Sequence, residues 1–249
     1  TIIDNGSVTP RYLNKHIDYS KLVTDAGFDR SAKNHSLATP LDMVVTRDGS
    51  KIYVAAFGSS RVGVFNTADL ESDAFNPRLA SANYITVSGG GPSGLVLDEA
   101  RGQLYVMTRF DNAIKVVNLA SRQEVAQARL SNPEPAQIVL GRPFLYDAKR
   151  SSANGEASCA SCHTFGDNDD LAWDLGNPDG LVSTSPIKGS DQSQLAVSNL
   201  LFGPTGKVNG SDVLTDFHPM KGPMTTQTLR GMRNAGAMHW RGDRSTGIF

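Results

Sequence analysis

The chain has 249 residues, with 24 Lys and Arg against 25 Asp and Glu and a formal net charge of −1. So even a balance argues against a broad nucleic-acid-binding surface and against a basic membrane-docking patch. No apolar run approaches the ~18 residues that a membrane-spanning helix needs, so no transmembrane segment is expected.

Residues 1–36 are polar and irregular, broken by Gly6, Pro10, Gly27 and Asn34, and only a short strand near Leu22-Val23 is expected there. From Thr39 a repeat begins. Its first copy runs Pro40-Leu41-Asp42-Met43-Val44-Val45, a turn at Asp48-Gly49, Ile52-Tyr53-Val54-Ala55, then Val62-Gly63-Val64-Phe65-Asn66. Its second runs Pro92-Ser93-Gly94-Leu95-Val96-Leu97, a turn through Gly102, Leu104-Tyr105-Val106, then Ile114-Lys115-Val116-Val117-Asn118. Pro to Tyr is thirteen residues in both copies, and Tyr to the later Val is eleven. A third start at Pro135-Ala136-Gln137-Ile138-Val139-Leu140 breaks off at Phe144-Leu145-Tyr146.

Short β-branched strands with turn signals, repeating every ~40–50 residues, are the mark of propeller blades. An ordinary β-meander is the plainer alternative, and two matching spacings weigh against it. The first part of the chain, 1–140, is therefore expected to be an incomplete β-propeller. Closed propellers need ~4 blades or more, and blades bury their faces only against neighbours. The missing blades are expected from the same polypeptide or a partner chain, and the chain is expected to be a fragment.

From Gly141 the composition shifts to Gly, Asn, Asp, Ser and Pro, which sets 141–249 apart as a second domain. It holds the only two cysteines, in Cys159-Ala160-Ser161-Cys162-His163. Two thiols three residues apart on a helical turn share one face and reach both vinyl groups of one haem. The following imidazole then serves as an axial ligand to the iron. A thioredoxin-like dithiol would want a βαβ setting, and the loop upstream offers none. A structural zinc would have to recruit His16, His35, His218 or His239, none in paired spacing. One covalent haem c is thus expected. Such proteins are exported, so a periplasmic or extracellular location follows, with a signal peptide removed before Thr1.

The run Asp167-Asn168-Asp169-Asp170, with Asp174 and Asp179 beyond, supplies the oxygen ligands that calcium takes. It lacks a Gly at the sixth position and a closing Glu, so a solvated turn is the preferred alternative to a Ca²⁺ site.

Leu145-Tyr146-Asp147-Ala148, the polar loop after it and the C-x-x-C-H turn resemble the haem entry of the di-haem cytochrome c peroxidase and MauG-like family. The stretch Phe165-Gly166-Asp167 to Leu171-Ala172-Trp173-Asp174-Leu175-Gly176-Asn177-Pro178 is similar to bacterial proteins joining blades of the Tyr-Val-Thr-Asn type to a peroxidase-like haem domain. Thr228-Leu229-Arg230 resembles that family's Thr-Leu-Arg-Asn segment, and Met238-His239-Trp240-Arg241-Gly242 its Met-His-Asp-Gly segment. The second match is shifted by one residue and replaces Asp by Trp240-Arg241.

The resemblance implies a mainly α cytochrome c-like domain after the blades, and a methionine as the sixth iron ligand. Met238 is the first choice and Met224 the second, with Met220, His218 and His239 also open. Arg230 is the favoured partner for a haem propionate, ahead of Arg241 and Arg244, because a guanidinium fork matches a carboxylate. A second haem would lie past Phe249 or in a partner chain. The function expected is electron transfer to a redox partner protein within a larger oxidoreductase. The alternative is a peroxidase-like enzyme, with an open sixth position and His239 or His218 as base. A third possibility makes the propeller a substrate- or partner-binding module.

Overall fold

The computed structural model describes residues 2–4, 6–21, 25–174, 183–184, 207–208, 211–212, 216–217 and 223–231. The chain divides into two compact units, Thr1–Ser161 and Cys162–Phe249.

The first unit opens with a hairpin of β1 (Ile2–Asp4) and β2 (Ser7–Thr9). The strand expected at Leu22-Val23 lies outside the described residues. The first repeat folds as β3 (Pro40–Val45), β4 (Lys51–Ala56) and β5 (Arg61–Asn66). Two short helices follow, α1 (Thr67–Glu71) and α2 (Pro77–Ala80), before β6 (Ile85–Thr86) completes a four-stranded antiparallel meander. The β3–β4 turn closes at Gly49, whose φ of 72° is a conformation that glycine adopts without a Cβ penalty. There the Asp48 carboxylate accepts from the Thr46 hydroxyl, at 2.6 Å, and from the Ser50 amide, and these bonds hold its pKa down at about 2.

The second repeat folds as β7 (Pro92–Asp98), β8 (Gln103–Thr108), β9 (Ala113–Asn118) and β10 (Gln123–Arg129), again an antiparallel meander in sequence order. The two copies agree in detail. Val44 faces Tyr53 and Tyr53 faces Val64; fifty-two residues on, Val96 faces Tyr105 and Tyr105 faces Val116. Both first strands shift register at the same place, between Pro40 and Asp42 and between Pro92 and Gly94. A shared irregularity at repeat-equivalent positions marks these as copies of one unit.

The meanders pack against each other, with β3 and β4 against β7. Tyr53, Ala55 and Val62 of the first copy meet Leu95, Leu104, Val106 and Val117 of the second in one buried cluster. The Leu95 amide also donates to Asp42 Oδ2 at 2.7 Å across the junction. Two successive four-stranded antiparallel sheets with neighbouring first strands form a partial propeller. Described secondary structure is mostly sheet with few helices.

The third repeat start does not become a strand. Ala136–Tyr146 is helix α3, followed by α4 (Ala148–Ser151). A short apolar run does not by itself choose between strand and helix. Ala136, Gln137, Leu140 and Arg142 are good helix formers, and Pro135 stands just outside the first turn. The α3–α4 corner is anchored on the loops of both blades. Arg142 Nη1 donates to the Arg109 carbonyl at 2.5 Å and Asn112 Oδ1 at 3.0 Å, and Tyr146 packs 5.4 Å from Phe57 and 6.3 Å from Phe110.

In the second unit, β11 (Ala172–Asp174), β12 (Ser183–Thr184), β13 (Lys207–Val208), β14 (Ser211–Asp212), β15 (Asp216–Phe217) and β16 (Pro223–Thr225) pair as β11–β16, β12–β15 and β13–β14. Apart from a 3-10 turn at Thr164–Gly166, no helix occurs among its described residues, so the mainly α haem domain is not what they show. Among the described residues no helix is long and apolar enough to cross a membrane.

Candidate functional site

The division between the units falls inside the Cys-His stretch, after Ser161. Cys159 begins a single 3-10 turn, Cys159–Ser161, which ends before Cys162 is reached. Neither cysteine forms a disulfide, and both are exposed.

In the second unit the structure brings together two motifs separated by more than sixty residues. His163 Nδ1 donates to the Gln227 carbonyl at 2.7 Å. The Leu229 amide donates to the Gly166 carbonyl at 2.9 Å, so the segment after the cysteines is strapped to the Thr-Leu-Arg segment. Arg230 Nη1 lies 2.9 Å from Asp167 Oδ2. The Asp167 carboxyl is held below its ordinary pKa, first by the Thr228 hydroxyl and then by the Asn168 amide. Arg230, expected to face a propionate, here pairs with a carboxylate of its own chain. Met224 has its backbone in β16, opposite Trp173 of β11. Met238 lies outside the described residues, as do Met220, His218, His239, Arg241, Arg244 and Asp179.

The cofactor expectations are overturned. Among the described residues, no group of three or more His, Cys, Asp or Glu side chains comes together as a metal ion would need. The acidic run shows why calcium fails: Asp167 pairs with Arg230, and Asp169 Oδ1 accepts from the Leu171 amide at 3.1 Å. These carboxylates cap turns instead of converging on a point. For haem, the helical turn stops at Ser161 and no donor set gathers at His163. Neither haem nor calcium is retained. The electron-transfer and peroxidase expectations, and the exported location, all depended on the haem.

A different surface was missed in the sequence. The residues with which the first blade grips the second are Val44, Tyr53, Ala55, Val62 and Val64. Their equivalents fifty-two residues on are Val96, Tyr105, Met107, Ile114 and Val116. Tyr53, Ala55 and Val62 are 6%, 0% and 0% exposed. Val96 is 64% exposed, and the other four equivalents are only half-buried. The second blade thus carries the gripping surface of the first with nothing seated on it among the described residues. Aligning the two copies position by position is the signal that would have found it.

No protein-family model matches the chain, and no curated protein matches it. Solved structures do. Kuenenia stuttgartiensis hydrazine synthase is similar over 39% of this chain and 24% of its own, at 16% identity and a TM-score of 0.32. The β-propeller domain of Cps50 (Swd1) from Myceliophteria thermophila is similar over 39% and 26%, at 9% identity and 0.31. The periplasmic gluconolactonase PpgL of Pseudomonas aeruginosa is similar over 39% and 27%, at 17% identity and 0.31. The chain spans about a quarter of the length of these structures. The blade assignment rests on the strand order and register described above.

Proposed function

We propose that the chain is a binding module built from blades of the Tyr-Val-Thr-Asn propeller type, whose second blade receives a further four-stranded blade on its open face. The observation that carries this is the fifty-two-residue equivalence of Val96, Tyr105, Met107, Ile114 and Val116 with the face that the first blade buries. A surface that repeats an existing interface asks for the same kind of occupant. That occupant presents an apolar set like Leu95, Leu104, Val106 and Val117, from a blade elsewhere in the polypeptide or in a partner.

Photocross-linking in the native host tests the reading, with a benzophenone amino acid at Val96 or, as control, at the exposed Lys51. The peptide captured from position 96, sequenced by mass spectrometry, should carry an alternating apolar strand of blade type. Capture of helical or unrelated sequence at position 96, or equal capture at both positions, overturns it.

A further inference from the structure

The first blade has a second face, and the repeat says what belongs there. The residues of the second blade that are gripped, Leu95, Leu97, Leu104, Val106 and Val117, correspond fifty-two positions earlier to Met43, Val45, Ile52, Val54 and Phe65. In this chain part of that face is covered by Leu13 and Leu37 of the N-terminal segment together with Leu70 and Phe75 of the β5–β6 connection. Leu37 and Phe75 are buried with Val54, Ala56 and Phe65, and Leu13, Ile52 and Leu70 pack around them.

The covering segment is fastened at several points. Asn14 Nδ2 donates to the Leu37 carbonyl at 2.8 Å while the Leu37 amide donates to Asn14 Oδ1 at 2.9 Å. The Ala38 amide donates to Ser59 Oγ at 2.8 Å, and Arg61 Nη1 donates to the Asn34 carbonyl at 2.6 Å. The blade is shaped to admit it. Where the second blade carries Lys115, the first has Gly63, and a Cβ there would lie 2.7 Å from Leu37 Cδ1 and 2.8 Å from Phe65 Cε2. The inner half of the face stays open, with Met43 61% and Val45 48% exposed.

We infer that residues 10–21 and 25–38, resting with Leu70 and Phe75 of the β5–β6 connection, form an intramolecular cap over a blade-docking face, and that displacing this cap lets the face take the open second-blade face of another copy. This rests on the binding reading above and adds both the occupant and its control. Both halves of one interface stand on one chain, so the contact is head-to-tail and builds rings or chains instead of closing as a two-fold dimer. The cap keeps the copies apart by occupying the site that the neighbour needs.

Sedimentation velocity over a concentration series provides the test. The wild-type chain should stay monomeric. Gly63→Leu, which takes the space of Leu37 and also crowds the Phe65 ring, should shift the mass to two or more chains, and adding Val96→Lys should restore the monomer. Amide exchange over residues 32–38 shows whether the cap has left. A Gly63→Leu chain that remains monomeric with a released cap overturns the inference, and so do oligomers that survive Val96→Lys. Should Gly63→Leu fail to fold, Asn14→Ala, which unfastens Leu37 without touching the blade, is judged by the same two outcomes. Blade-type cross-links from position 96 alongside a monomeric, uncapped variant would sink the cap proposal and leave the binding reading intact.

Discussion

Lys115 offers the sharpest check on how the second blade is held together. Its side chain is 1% exposed, and its ammonium lies 2.7 Å from Asp111 Oδ2 and 2.7 Å from Gln127 Oε1. Asp111 is 31% exposed and also accepts from Thr108 Oγ1 at 2.6 Å. Breaking a buried pair by removing one partner costs about 3–5 kcal/mol, because a charge is left without compensation. The two partners are not equally placed to bear it. Lys115→Met leaves a carboxylate with a hydroxyl donor and access to water, so about 3 kcal/mol is expected. Asp111→Asn strands an ammonium with no water and only neutral acceptors, so the cost should approach about 5 kcal/mol. In urea, with a slope of about 2 kcal/mol/M, these are falls of about 1.5 and 2.5 M in the midpoint of the first unit. The double variant should cost well under the sum, since each substitution removes what the other strands. A Lys115→Met loss below about 1 kcal/mol, additive costs, or the reverse order would show that the pair is not coupled as the geometry requires.

Two further outcomes follow from neighbouring contacts. Asp42→Ala removes the acceptor of the Leu95 amide at the blade junction and should cost about 1.5–3 kcal/mol in denaturant unfolding, the range for a hydrogen bond to a charged group; no change would mean that water replaces it. The cap should also be acid-sensitive. His16 Nε2 donates to the Ala32 carbonyl at 2.9 Å, leaving Nδ1 buried without a partner among the described residues, and burial holds the pKa below its ordinary value. Arg78 lowers it further, while the Ala32 bond, Asp29 and Glu156 act the other way. The neutral ring is the folded form, so its contribution is complete above a pH of about 6.5 and is lost as the pH falls through the lowered value. Amide protection factors over 11–17 and 32–37, corrected for the slower intrinsic exchange at lower pH, should fall in that window. In His16→Gln, which keeps an N–H donor without titrating, the acid step should shrink; an unchanged step would assign it elsewhere.

Much of the blade architecture was legible in the residues. Thirteen- and eleven-residue spacings, β-branched runs and the Asp48-Gly49 turn set the strands and their pairing, because alternation and turn geometry act over a few residues. The same local information was silent on other points. Residues 136–146 read as a third blade start yet form α3, since without a neighbouring strand the helix satisfies its own backbone. Lys115 stands in the run 114–118 with nothing local to mark it as buried, and the position of Asp111 and Gln127 makes that burial tolerable. The Cys159–His163 stretch named a cofactor by its order, but ligand sets are assembled from distant segments, and the distant segment that arrives at His163 brings the Gln227 carbonyl instead. Alternation gives every strand two faces. What covers each face is decided by long-range packing, which is why the cap on the first blade and the open face on the second emerged only from the tertiary structure.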